Sequence, residues 1–536
     1  MAMKSFCTSS RLLILLVLLL LNPALTFAQI YHIDSVEGND GNSGISESSA
    51  WRSITRANSH KFQPGDTLLF RRGREWYDVS LKISARDFMI GSYGEGPLPR
   101  LIGGVLASRW IATDNGVYRT HTRQEWGVQL VSEEGRRFYR LLASMESGLA
   151  PGTFYFDKKR QELYIKPFDG NDPNDRSIIV GSQNHILELQ DTEIVRLTID
   201  HLEISYANRY GISPWWQGGP ARQGVVEIAN CLFVGNAFSA IALSGKATYE
   251  EISIHGNTIR MNGAEGIYIG PYSVRSHLLI NDNRIGDQGD NEFGWRGEGA
   301  KSSFNGDGID VKQGNHGVKI VRNTVTNLTA GYGIGILSGG SLVEDNVIAD
   351  IHIADGESSG IYVDVNDSFG LATVRKNKIY GAKSFGIVVR GSAKIHPPVL
   401  VEDNDIDLSF DNPFAQIGLT ARDKENITIR LNKGKGGAYG IYLYGDPPRN
   451  VVIEDNLLLQ TGVAWWLDSD KLDGLTAKRN SVCGDISSIV EWRNGDRVFD
   501  LKRAREILRS ADSVMQISCS ASDRLSPAKP QGLSIK

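Results

Sequence analysis

The chain has 536 residues, 41% of them hydrophobic and 22% charged, with a formal net charge of −4 at pH 7. A chain this long outgrows one ordinary core, so it is either several domains or a solenoid that lengthens without thickening. The mildly acidic balance supplies no basic face for nucleic acid.

Residues 1–28 read as a cleavable signal peptide. Lys4 and Arg11 precede the apolar run Leu12–Leu21, Asn22 and Pro23 break it, and Thr26, Phe27 and Ala28 stand before Gln29. Ten apolar residues are too few to span a bilayer. The expectation is a secreted or periplasmic protein, cleaved after Ala28, with no stable membrane span thereafter. Losing Lys4 and Arg11 takes the net charge from −4 to −6.

Residues 29–98 read as an N-terminal cap and the first short strands, through Tyr31–Asp34, Pro64–Phe70 and Ile90–Gly96. The stretch Gly38–Gly44 reads as a polar turn. From 99 to 183 the phrasing changes to short strands and turns rich in Trp and Tyr, such as Gly152–Asp157 and Glu162–Lys166, which predicts a small inserted β-domain.

Residues 184–498 carry a repeat. Asparagine recurs at 230, 257, 283, 323, 346, 377, 404, 432, 456 and 480, at intervals of 23 to 31 residues apart from one of 40. All but Asn432 are followed two positions later by a large apolar residue. Beyond most of them comes a piece written small–apolar–x–apolar–x, as at Gly266–Gly270, Gly308–Lys312, Gly333–Leu337, Gly360–Asp364, Gly386–Arg390 and Gly440–Tyr444. Period-two alternation is a strand signal, and the interval is too short for a crossover helix, which leaves short strands stacking in parallel. Asparagine tolerates αL geometry at a turn and bonds backbone amides, which predicts a stacked asparagine ladder. Residues 499–536 read as a C-terminal cap and tail, with a short helix around Ala504–Leu508. Cys231, Cys483 and Cys519 follow the leader, an odd number without metal spacing; one disulfide, Cys483–Cys519 for example, suits an oxidising compartment.

These motifs resemble the right-handed parallel β-helix superfamily of pectate-lyase-like, carbohydrate-active proteins. The resemblance implies an all-β solenoid with short capping helices. The inserted segment resembles those of β-helix fucosidase-, xylosidase- and galactosidase-type glycosidases, and so implies hydrolysis of a polysaccharide or oligosaccharide.

Setting the strand pieces in register predicts one outward column of Tyr268, Asp310, Gly335, Tyr362, Val388, Gly418, Tyr442 and Trp466. A second runs Gly270, Lys312, Leu337, Asp364, Arg390, Thr420, Tyr444 and Asp468, and a third, just before each strand, holds Glu265, Asp307, Tyr332, Ser359 and Phe385. Aromatics give platforms for sugar rings, and charges fix hydroxyls or acid groups. The 40-residue interval holds an acidic, glycine-rich segment with Trp295 and Glu298, expected to wall the groove; Asp355 and Glu357 extend that wall.

Two chemistries fit. In a glycosidase, Asp310 and Asp364 are the acid–base pair at an inverting spacing, with Asp307 or Glu265 able to replace either; Tyr268, Tyr362, Tyr442, Tyr444 and Trp466 hold the sugar, and Arg390 binds a hydroxyl or carboxylate. This reading needs no metal or cofactor. In a uronate lyase or C5-epimerase, Lys312 and Arg390 move the proton. The stretch Asp307–Gly314 is similar to one in calcium-dependent pectate lyases, which implies Ca2+ held by Asp307, Asp310 and Asp364. A non-catalytic carbohydrate-binding or surface β-helix protein is the third reading. Oligomeric state is not legible.

Overall fold

The computed structural model describes residues 28–508, apart from 84–85, 134, 136, 190–192, 215–221, 245–247, 289–305, 330, 353–358, 391–396, 410–411, 421–423 and 485. The signal-peptide segment up to residue 27, Trp295, Glu298, Asp355, Glu357 and Cys519 lie outside the described residues.

The chain winds as a right-handed parallel β-helix. Each coil visits three parallel sheets in turn: a 14-stranded sheet starting at Ile30–Ile33, a 13-stranded sheet starting at Glu75–Trp76, and a 14-stranded sheet starting at Leu81–Ile83. Alternate residues point inward, and Ile267, Ile269, Ile309, Val311, Ile334, Ile336, Ile361 and Val363 are fully buried in one continuous core. Glycine stands before the first inward residue on most third-sheet rungs, where the next rung crowds a side chain. A Cβ on Gly308 or Gly333 would sit 2.6 or 2.5 Å from the carbonyl oxygen one coil on. Helix Ile54–Ser59 packs near the first coil, and helix Leu501–Ile507 covers the far end through Ala504 and Leu508.

The asparagines do form a ladder, from Asn257 to Asn480. In each step one side-chain carbonyl accepts both the N–H and the side-chain amide of the asparagine a coil earlier, as Asn377 does from Asn346 at 3.0 Å each. Two details differ from expectation. The αL residue is the one before each asparagine (Asp282, Arg322, Asp345, Lys376, Asp403, Leu431, Asp455, Arg479) rather than the asparagine itself. Asn230 is not in the ladder; it is exposed, occupies that αL position at φ 51, and bonds Asp200, while buried Cys231 stands in the stack with its N–H on Asn257. Cys483 is disulfide-bonded, and Cys231 is free and buried.

Arg100–Ile102 is a strand of the second solenoid sheet, so the departure from the coil begins at Gly104, a few residues later than composition suggests. It builds a four-stranded sheet and a five-stranded sheet and ends at Gly181. These have their own core around Trp110, Tyr139, Phe154, Leu163 and Ile165, and lean on the solenoid through Leu130, Phe138, Ile179, Tyr206 and Val234. This insertion, the 40-residue interval and the segment before Ser359 all leave at one corner, between a second-sheet strand and the following third-sheet strand.

Among the described residues no helix is long and apolar enough to cross a membrane.

Candidate active site

The outward column of the third sheet matches the register read from sequence. Tyr268 pairs with Asp310, Asp310 with Gly335, Gly335 with Tyr362, and the series continues through Val388, Gly418, Tyr442 and Trp466. The pre-strand position lies three residues before that column, at the corner, so Asp307 falls beside Asp310 on its own rung and Glu265 on the rung before.

Those three carboxylates meet. Glu265, Asp307 and Asp310 each bring an oxygen within 4.8 Å of the other two, and all three are buried. Glu265 accepts a hydrogen bond from Ser239 Oγ at 2.7 Å. Asp307 Oδ1 accepts the backbone N–H of Tyr332, while its Oδ2 is buried without a partner. Asp310 Oδ2 lies 2.7 Å from Lys312 Nζ, which also sits 5.8 Å from the Tyr268 ring centre.

Three acids so close cannot all ionise. Burial, with Asp310 adding to it, pushes Glu265 up to about 7. Asp307 is pushed well above the usual carboxylate range by burial and by both neighbouring acids. Asp310 is also raised by burial, but Lys312 opposes that, making it the member best suited to carry charge. Lys312 is held above its ordinary value because Asp310 and Asp307 outweigh its burial. The all-oxygen donor set of Glu265, Asp307 and Asp310 is of the kind hard cations take, but supplies three ligands where Ca2+ takes about 6–8.

The remaining candidates fall elsewhere on the face. Asp364 lies two rungs beyond Asp310 and is grouped with Tyr362, whose hydroxyl donates to it at 3.2 Å, and with Arg390, which bonds that hydroxyl in turn. Tyr362 stacks on Tyr332 with ring centres 4.2 Å apart, so each ring covers a face of the other and both are buried. Tyr442, five rungs from Asp310, stacks on Trp466 at 4.4 Å, with Tyr444 beside them and 42% exposed. These three are therefore remote from the carboxylates. Ser239 escaped the sequence reading; it occupies Glu265's own column one rung earlier and is found by running that column back.

The profile described as Right handed beta helix region matches residues 184–396 and 307–482. A lacto-N-biosidase of Bifidobacterium longum subsp. longum is 33% identical over 91 residues, which is 15% of this chain and only 6% of that protein. Among solved structures, the complex of XylC with xylose is 13% identical with a TM-score of 0.59, over 93% of this chain and 87% of that one. The GH136 lacto-N-biosidase from Eubacterium ramulus is 15% identical with a TM-score of 0.41, over 85% and 67%. At these identities the structural likeness is one of fold.

Proposed function

We propose that this chain, which belongs to the right-handed β-helix family, is an extracytoplasmic glycoside hydrolase whose reacting groups are Glu265, Asp307 and Asp310. The observation that carries the reading is the buried three-carboxylate cluster in which environment separates the members' proton affinities. Glycosidic cleavage needs one carboxylic acid that still holds its proton and one carboxylate that does not. Glu265, raised to about 7 and bonded to Ser239, suits the acid that protonates the leaving oxygen. Asp310, paired with Lys312, suits the carboxylate. Asp307, buried behind them, is kept protonated by its burial and by the nearness of Asp310 and Glu265.

The oxygens lie within 4.8 Å. That ceiling on the oxygen separations is short of the roughly 6.5–9.5 Å that leaves room for a water and falls on the side of direct attack, where the two carboxyls stand roughly 5–5.5 Å apart. The cluster therefore favours a retaining enzyme in which Asp310 attacks the anomeric carbon, rather than inversion between Asp310 and Asp364. The 91-residue likeness to a lacto-N-biosidase supports a glycan substrate.

The lyase alternative asks Lys312 to act as a neutral base, and its ion pair with Asp310 holds it cationic. A panel of glycans read for new reducing ends and for the ultraviolet absorbance of unsaturated products tests the proposal. Reducing ends without absorbance are expected; absorbance appearing with them overturns hydrolysis.

A further inference from the structure

A polar cleft of about 620 Å³ opens at the other end of the same face, between the inserted sheets and the first coils. Its floor carries Lys82 and Glu188, and its inserted-domain wall carries Arg123, Glu125 and Trp126. Trp126 is 57% exposed, with the Arg209 guanidinium 5.8 Å from its ring centre.

The cleft is in line with the carboxylates. Lys82, Glu188, Ser213, Ala242, Tyr268 and Asp310 follow one another in the outward column. Glu188 is thus four rungs from Asp310, about 19 Å at ~4.8 Å per rung. The column between them carries Ser213 and Ala242, both small and buried, and then Tyr268 beside Asp310. A rail of rings flanks it: His185 stacks on Tyr210 at 5.6 Å, and Tyr210 on Phe238 at 5.4 Å, next to Ser239, the partner of Glu265. His185, buried near Arg209, is held down to about 4, so it lines the cleft as a neutral ring.

Building on the hydrolase reading, we infer that this cleft is a second carbohydrate subsite, holding a neutral stretch of the glycan about 19 Å from the carboxylates. The lining fits hydroxyl groups rather than a polyanion. Asp78, Glu125 and Glu188 balance Lys82, Arg123 and the adjacent Arg209, so the lining carries no surplus of cations for a polyanion, and the indole face that Arg209 does not cover suits a pyranose ring. The substrate is then an extended chain, not a disaccharide.

The test is binding of wild type, Trp126→Ala and Asp310→Asn to an array of neutral oligosaccharides with oligogalacturonates as the anionic comparison. Neutral chains should bind wild type and Asp310→Asn alike, and Trp126→Ala should weaken them about tenfold or more. On a cleaved glycan, Trp126→Ala should raise KM for long chains while leaving kcat on an aryl monoglycoside unchanged. Unaltered binding by Trp126→Ala, preference for oligogalacturonates, or no neutral glycan bound by wild type overturns the subsite. Trp126-dependent binding without any bond cleavage removes the hydrolase reading and leaves the subsite standing.

Discussion

Lys312, one residue past the end of the strand Ile309–Val311, closes an ion pair of 2.7 Å with Asp310 on that strand at the mouth of a buried carboxylate cluster. Alternation sends both side chains to the same face, and the next rung places Gly335 against Asp310, so no side chain at that position crowds it from that side. The pair gives the cluster one member able to ionise while burial keeps protons on the others.

Activity should fall as pH rises through about 7, because Glu265 must hold a proton to deliver it. Glu265→Gln should lower kcat on natural glycans by about 10²–10⁴ and abolish that alkaline limb, while aryl glycosides with good leaving groups lose far less. A lyase would show the opposite slope, since Lys312 loses its proton only at higher pH. A pH–rate profile rising above neutrality sinks the assignment.

Stability should carry the same signature. The folded state keeps Glu265 protonated between about 4.5, its ordinary value, and about 7, so it binds more protons there than the unfolded chain. Stability from this group is complete below 4.5 and is lost as pH climbs through 7, on the order of 3 kcal/mol in all. Glu265→Gln should therefore raise the thermal midpoint above pH 7 relative to wild type and do little at pH 4. Equal effects at both pH values would count against a buried proton at this site.

Lys312→Ala removes the cation opposing the burial of Asp310. Asp310 should then ionise at higher pH, so the acid limb of the hydrolysis profile moves up and the bell narrows, with activity reduced but measurable. Complete loss across all pH values, with no glycosyl product, would assign Lys312 to the bond-breaking step itself.

The ladder makes a sharper statement about folding. Asn346 is fully buried and bonds Asn377, Ile320 and Asn323. Asn346→Ala strands several backbone groups and should cost at least about 2 kcal/mol by chemical denaturation. Asn230→Ala, on an exposed turn at φ 51, should cost less, about 1 kcal/mol from the strain of alanine in the αL region. Cys231→Asn should be more stable than Cys231→Ala, since an amide there can reach Ile199 oxygen, where the thiol now sits at 3.9 Å, as well as Asn257.

That contrast marks what the sequence made legible. Side-chain chemistry repeated at one position announces itself, so the ladder and the register of Tyr268, Asp310 and Tyr362 could be read directly. The αL position could not: backbone geometry is imposed there by the coil on Asp, Arg, Lys and Leu alike, and no residue type marks it. For the same reason Asn230 passed for a rung although it stands one residue early. The acids were legible as candidates, but their pairing was not. Rung spacing suggested Asp310 with Asp364, whereas the corner brings the pre-strand residues Glu265 and Asp307 across to Asp310, a proximity written in no single strand.

The shared corner from which the inserted sheets, the 40-residue interval and the segment before Ser359 all depart has a consequence for how such a molecule diversifies. The asparagine stack runs along a different corner, between the first and second sheets, so lengthening, shortening or exchanging a departure leaves the ladder's bonds untouched. Lineages and engineers alike can vary preference at one edge of the coil without renegotiating the fold, and a library confined to the inserted-domain wall at Arg123, Glu125 and Trp126 should scatter in specificity while its melting temperatures cluster.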